Sequence, residues 1–238
     1  MLNVMWNCIG GITVIYITGD THGLVQRFNT LKEKYNEDKW TDNDYLIICG
    51  DFGYIFFNNG PENRFLDELE KKPYTICFVD GNHENFPAIY SYPIANWNGG
   101  KTHKIRNNIY HLMRGQIFEI EGKTFFTMGG AYSIDKACRK EGESWWPEET
   151  PNNEEYKEAS ANLKKAGKKV DYIITHTMPS CMIRRLGMYP NGHDIELTGY
   201  LEWIYYEMDY IHWYCGHWHE DKDLTDEFTI LYEDVRTI

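Results

Sequence analysis

Apolar and polar positions follow two rhythms along this chain. In the first half, short runs rich in Ile, Val, Tyr, Phe and Cys at 12–18, 45–49 and 74–79 predict strands. Between them Leu24, Phe28, Leu31 and Tyr35 recur at helical spacing over 24–35, and a second helix is predicted over 61–69, opened by a proline suited to a first turn. A strand-helix-strand-helix-strand order predicts parallel strands with right-handed crossovers, whose sites lie beyond the carboxyl ends of the strands.

The middle changes character. Segments 109–112, 116–120 and 123–128 read as short strands, with Glu121-Gly122 as a turn, and predict an antiparallel meander that starts a second sheet. From 129 to 153 the pattern is irregular, with Gly129-Gly130, mixed charges, Trp145-Trp146 and two prolines, as in a functional loop or rim. An amphipathic helix follows over 154–166 with Gly167 as its stop, then a strand at 170–175, a helix at 196–208, and strands at 210–215 and 228–232. No repeat or linker divides the chain, so 12–238 reads as one domain preceded by an extension over 1–11.

Five of the predicted strands stop at side chains able to bind a cation: Asp20-Thr21-His22, Gly50-Asp51, Gly81-Asn82-His83-Glu84, Thr175-His176 and Gly216-His217-Trp218-His219. Asp20 and His22 alternate on an extended segment, so both can point to one side, and His217 and His219 repeat that arrangement. With Asp51, Asn82 and His176 they make a mixed nitrogen and oxygen set suited to Zn²⁺, Mn²⁺ or Fe rather than Ca²⁺. Asp51, with two carboxylate oxygens, is a candidate bridge between two ions.

This pattern, D-x-H, G-D, G-N-H-E, a lone histidine and G-H-x-H, resembles that of the calcineurin-like metallophosphoesterases, over residues 15 to about 220, in a member of bacterial or phage type. The resemblance implies an α/β (α+β) fold, a four-layer α-β-β-α sandwich of two mixed sheets flanked by helices. It implies that Asp20, His22, Asp51 and His219 hold one divalent ion and Asp51, Asn82, His176 and His217 a second, with Mn²⁺ the first candidate and Fe or Zn²⁺ the alternatives. His83 then faces the substrate as candidate general acid. Two such ions about 3.5–4 Å apart lower the pKa of a bridging water and clamp phosphoryl oxygens for in-line attack on a phosphomonoester or phosphodiester.

The same centre would serve a nuclease or cyclic-nucleotide phosphodiesterase, and a catalytically silent protein-binding module is the alternative of another class. The protein-serine/threonine-phosphatase branch reads G-D-x-x-D-R-G, whereas this chain reads Gly50-Asp51-Phe52-Gly53-Tyr54-Ile55-Phe56, without the second Asp that orients the histidine or the phosphate-binding Arg. Whatever orients His83 must come from elsewhere. Among basic residues near the cluster loops, Arg139 and Arg27 are the candidate phosphate contacts, ahead of Lys136, Arg184 and Arg185. Trp145 and Trp146 could stack on a base or pack under a loop, and 187–199 could line the pocket rim. Glu84 is expected to orient its loop through hydrogen bonds, and His103, His111, His193 and His212 to be structural.

Composition narrows the partners. A formal net charge of −12 argues against a broad nucleic-acid footprint, leaving a phosphorylated small molecule, a nucleotide or a nucleic-acid end, with no obligate protein partner implied. Six cysteines lack a C-x-x-C pair, and Cys49, Cys77 and Cys215 lie in strand-like runs, which fits a reducing cytoplasm. Residues 1–11 do not read as a signal peptide, and no apolar run approaches the roughly 18–20 residues of a membrane span.

Overall fold

The computed structural model describes residues 13–238; the predicted extension and the start of the first predicted strand lie outside them. The chain runs β1 (Ile15–Thr18), α1 (Val25–Tyr35), β2 (Tyr45–Ile48), α2 (Gly60–Glu70), β3 (Thr75–Phe78) and α3 (Phe86–Tyr90). Then come β4 (Ile94–Trp97), β5 (Gly100–Arg106), β6 (Ile109–Leu112), β7 (Gln116–Ile120), β8 (Lys123–Met128) and α4 (Asn153–Lys165). The last third holds β9 (Tyr172–Thr175), α5 (Ser180–Arg185), α6 (Ile195–Glu207), β10 (His212–Cys215), β11 (Lys222–Thr225), β12 (Phe228–Ile230) and β13 (Val235–Thr237).

Two mixed sheets result, one ordered β13-β1-β2-β3-β6-β5-β4 and the other β11-β12-β10-β9-β8-β7. The period-2 alternation of strand side chains sorts the apolar residues into three separate cores. Leu46, Ile48, Ile76 and Phe78 face outward under α1 and α2, with Phe28, Leu31, Leu66 and Leu69. Their neighbours Ile47, Cys49, Cys77 and Val79 face inward and meet Tyr172, Ile174 and Tyr214 of the second sheet. Ile173, Trp213 and Cys215 face the other way, under α4, α5 and α6. Three cores separate four layers, as the resemblance implies.

The meander expectation needs correction. β6 pairs parallel with β3 inside the first sheet, so only β7 and β8 open the second. Alternation fixes a strand's faces but not its partner, and the chain changes sheets at Gly115, whose φ of +71° lets the backbone turn. The β4–β5 hairpin went unpredicted because it is a polar edge: Ile94 is exposed, and Lys101, Lys104 and Arg106 interrupt β5. Helices α1, α2, α4 and α6 match their predicted positions within one residue while α3 and α5 went unpredicted, and Asn152 and Glu155 form a capping box at the start of α4. Among the described residues no disulfide forms, and no helix is long and apolar enough to cross a membrane.

Candidate metal centre

Asp20 and His22 follow β1, Asp51 follows β2, Asn82 and His83 follow β3, His176 follows β9, and His217 and His219 follow β10. These strands run parallel within their sheets, so their carboxyl ends bring all five loops to one place. Close packing there explains two of the glycines. A Cβ on Gly50, whose φ is +97°, would strike the His176 ring, and one on Gly216 would strike the Asp20 carboxylate.

Donor atoms cluster at the spacing a cation imposes. His22 Nε2 lies 3.0 Å from His219 Nε2 and 3.6 Å from Asp20 Oδ2, and the latter two are 3.1 Å apart. Bonds of about 2.1 Å to a first-row ion set neighbouring ligand atoms roughly 3.0–3.4 Å apart, in octahedral or tetrahedral order. Asp20 Oδ2 is also buried without hydrogen-bond geometry to any described residue. Nearby, His176 Nε2 lies 3.4 Å from Asp51 Oδ1 and 3.1 Å from Asn82 Oδ1, while its Nδ1 donates to the Cys49 carbonyl at 2.8 Å. That bond fixes the ring and leaves Nε2 facing the site.

The residues present therefore fit the binding of a divalent ion. The tightest donor groups are Asp20–His22–His219 and Asp20–Asp51–His176. Asp20 takes part in both, a sharing the sequence had pointed to for Asp51; Asp51 Oδ2 still lies 3.7 Å from His22 Nδ1. His217 has its ring 5.0 Å from that of His176, and its backbone N–H donates to Asp20 Oδ1 at 3.0 Å.

Four of the seven predicted ligands hold a left-handed backbone: His22 at φ 48°, Asp51 at 47°, His217 at 69° and His219 at 50°. Such residues cost on the order of 1–3 kcal/mol each and persist where surrounding contacts over-determine them. Here Thr21 and His22 both donate backbone N–H groups to the Asp51 carbonyl, at 3.1 and 2.7 Å. Glu84 accepts from the N–H groups of Phe52 and Gly53, at 2.6 and 3.4 Å, the loop-orienting role expected of it.

Charge follows the same geometry. Burial alone would raise the Asp51 carboxyl, but His176 against it holds it well below the usual carboxylate range. Burial would likewise lower His176, yet Asp51, then Asp20 and the Cys49 carbonyl, raise it to about 10. Burial and the nearby His176 push His217 down to about 4. His219 is raised as well, chiefly by its hydrogen bond to Asp20.

Arg139 supplies what the sequence left open for His83. Its guanidinium donates to His83 Nδ1 and lies 3.0 Å from Nε2. Burial lowers the His83 pKa, Asp51 opposes that, and Arg139 adds to it. Ser133, which sequence reasoning did not single out, is buried and joins two parts of the site: its Oγ accepts from Asn82 Nδ2 at 2.9 Å and from Arg139 Nη1 at 3.2 Å. Behind this loop a buried column runs His103–His111–Asp80–Arg114, with contacts of 3.0 Å between the histidines, 3.0 Å to Asp80 Oδ1 and 2.8 Å from Arg114 Nε to Asp80 Oδ2. Arg114 extends it to the Glu148 carbonyl at 2.7 Å, tying 129–153 to the strand end that carries Asn82.

Other candidates fall away. Arg27 is 8% exposed: its Nη2 donates to Thr18 Oγ1 at 3.1 Å and to the Tyr232 carbonyl, while its Nε has no partner among the described residues. Lys136 pairs with Glu149 at 3.1 Å, Arg184 with Glu202, and Arg185 Nε with the Leu224 carbonyl at 2.7 Å. Trp146 is buried edge-on to Phe56 and offers no face to a base, and half-buried Trp145 carries the Lys136 ammonium 4.4 Å above one face of its ring. His193 stacks on Tyr132 at 4.8 Å, and His212 Nε2 meets Thr229 Oγ1 at 2.8 Å. A cavity of about 590 Å³ opens on the centre beside Asp51, Asn82, His83, His217 and His219.

With two sheets, five converging strand ends and this donor set, the chain is a metal-dependent hydrolase of the phosphoesterase kind. It belongs to the calcineurin-like phosphoesterase family, whose sequence model matches residues 13–221. No curated protein is significantly similar to it in sequence. Among solved structures it is similar to the phosphopantetheinyl hydrolase PptH of Mycobacterium tuberculosis, with 13% identity, 94% of this chain and 89% of that chain covered, and a TM-score of 0.44. It is also similar to the protein of unknown function AQ665 from Aquifex aeolicus, with 15% identity, coverage of 84% and 89%, and a TM-score of 0.36. A third likeness is to the sulfate thiohydrolase SoxB of Thermus thermophilus, with 10% identity, coverage of 94% and 52%, and a TM-score of 0.36.

Proposed function

We propose that the protein hydrolyses a phosphomonoester or phosphodiester at a centre of two divalent ions. Asp20, His22, Asp51 and His219 would hold one ion, and Asp51, Asn82, His176 and His217 the other, with Asp20 placed to reach both. Mn²⁺ suits this mixed nitrogen and oxygen set, with Fe and Zn²⁺ as alternatives. When bound, such ions supply an activated water and neutralise phosphoryl charge. The observation that carries the reading is the pair of adjoining donor groups directly beside the His83–Arg139 contact, at the head of one cavity.

The chain's own groups then divide the work. Arg139 is a planar donor held by Ser133 at 3.2 Å and Asp135 at 3.0 Å, placed to bind two phosphoryl oxygens. In the free protein His83 accepts from that guanidinium and is neutral. A phosphoryl group arriving between them would take over the guanidinium's hydrogen bonds, and its negative charge would favour protonation of His83 from solvent water, the proton that His83 then gives to the leaving oxygen. Hydrolysis of a chromogenic phosphomonoester and a phosphodiester is measured with Mn²⁺ and again with chelator. Turnover of at least one, abolished by chelator, is expected; folded protein that turns over neither would sink the proposal.

A further inference from the structure

The cavity continues outward between two irregular segments, 129–135 and 187–194. Its outer wall is apolar and open. Ile134, Met188 and Tyr189 are 82%, 49% and 91% exposed, far more than an ordinary core would leave them, and half-buried Trp218 joins them. Two polar atoms in the lining residues lack partners among the described residues: Oδ1 of Asp194, a residue 7% exposed, and the indole Nε1–H of Trp218. Buried polar atoms are ordinarily hydrogen-bonded, and ligand pockets are typically apolar with a few such groups to fix orientation.

Cationic charge near this cavity is already paired. Arg139, in contact with His83, is held by Asp135 at 3.0 Å. Lys136, the nearest further cation, is committed to Glu149 and to the ring of Tyr132, 4.1 Å below it. The lining itself holds no Lys or Arg but includes Asp135 and Asp194. An extended polyanion would meet carboxylates there, whereas one phosphoryl group at the inner end leaves an uncharged body for the wall. The wall offers an acceptor and a donor, so that body needs an edge bearing both. A heterocycle has such an edge and flat apolar faces; a phenyl or alkyl group lacks the edge, and a sugar lacks the faces.

We propose that this wall is a leaving-group pocket for a nucleoside-sized aromatic phosphoester, its heterocycle lying against Met188, Tyr189 and Trp218, with an N–H donating to Asp194 Oδ1. The volume of about 590 Å³ admits such a group. The assignment rests on the phosphoesterase reading for its inner end and on the wall alone for its outer end.

Adenosine 5′-monophosphate and ribose 5-phosphate share the scissile ester and differ in the base, so they isolate the wall. With the Mn²⁺-loaded protein, kcat/KM should favour the nucleotide at least tenfold. Asp194→Ala and Tyr189→Ala should each cut that preference at least threefold, and since Tyr189 is 91% exposed its loss leaves the fold intact. Equal kcat/KM for the two esters would overturn the pocket while leaving the phosphoesterase reading in place. Binding of adenosine itself, followed by calorimetry, separates the opposite case. Millimolar or tighter binding weakened at least threefold by Tyr189→Ala supports the pocket even where no ester is cleaved, and no adenosine binding overturns it.

Discussion

The floor of the cavity and its outer wall are built on opposite terms. On the floor, Asp20, Asp51 and His176 are fully buried, several ligands hold left-handed backbone, and neighbouring loops clamp one another through backbone hydrogen bonds. On the wall, Ile134 and Tyr189 stand in solvent, and Asp194 Oδ1 and Trp218 Nε1 find no partner. A floor that must present charged donors at fixed separations needs rigid backbone and accepts its strain. The wall is free of that demand. On the proposed reading, chemistry and selectivity would reside in parts of the site that can change independently.

The largest expected effect divides the floor itself. Asp51→Asn removes a charged donor that would serve two ions and should lose bound metal together with on the order of 10³-fold in turnover. His83→Ala should keep its metal and lose about 10²–10⁴-fold in kcat, the range of a general acid. Metal stoichiometry by elemental analysis, measured beside kcat, tests the split. Equal metal loss in both variants would mean that His83 is a ligand and that the roles are misassigned.

A smaller effect lies beneath the floor. Arg114 and Asp80 are both buried, at 4% and 1% exposure, so their ion pair is desolvated. Arg114→Met would leave the Asp80 carboxylate with His111 alone, and breaking a buried pair from one side costs roughly 3–5 kcal/mol. The Asn82 loop and the 129–153 segment should loosen together, since Arg114 joins Asp80 to the Glu148 carbonyl. Denaturant unfolding of the metal-free protein measures the cost. A loss below about 1 kcal/mol would show that the column does not brace the floor.

The floor was legible in the sequence because each predicted ligand sits within four residues of a strand end, and glycines such as Gly50 and Gly216, which allow close approach, adjoin Asp51 and His217. The two-sheet frame was legible for a related reason, since alternation in 45–49, 74–79 and 170–175 already assigns each side chain to a face. The wall was not, because Asp194, Met188 and Trp218 come from separate loops whose meeting no spacing announces. Arg27 shows the same limit from the other side. Its nearness in sequence to Asp20 suggested a phosphate contact, but its place on α1 aims it at Thr18 and the Tyr232 carbonyl. Ser133 was hidden for want of any local signal, since its two partners lie 51 and 6 residues away.

The smallest expected effect belongs to the wall. Ile134 is 82% exposed, so Ile134→Ser removes little packing and should change stability by no more than about 0.5 kcal/mol, the usual range for a surface substitution. For a chain of this length that is a shift of roughly 1–2 °C in Tm, which calorimetry resolves. Removing one apolar element from the wall should also raise KM for an aromatic ester more than it changes kcat, because the side chain stands away from the reacting groups. A fall in Tm of more than about 4 °C would mean that Ile134 is packed as part of the frame, and the contrast between a braced floor and an unbraced wall would no longer hold.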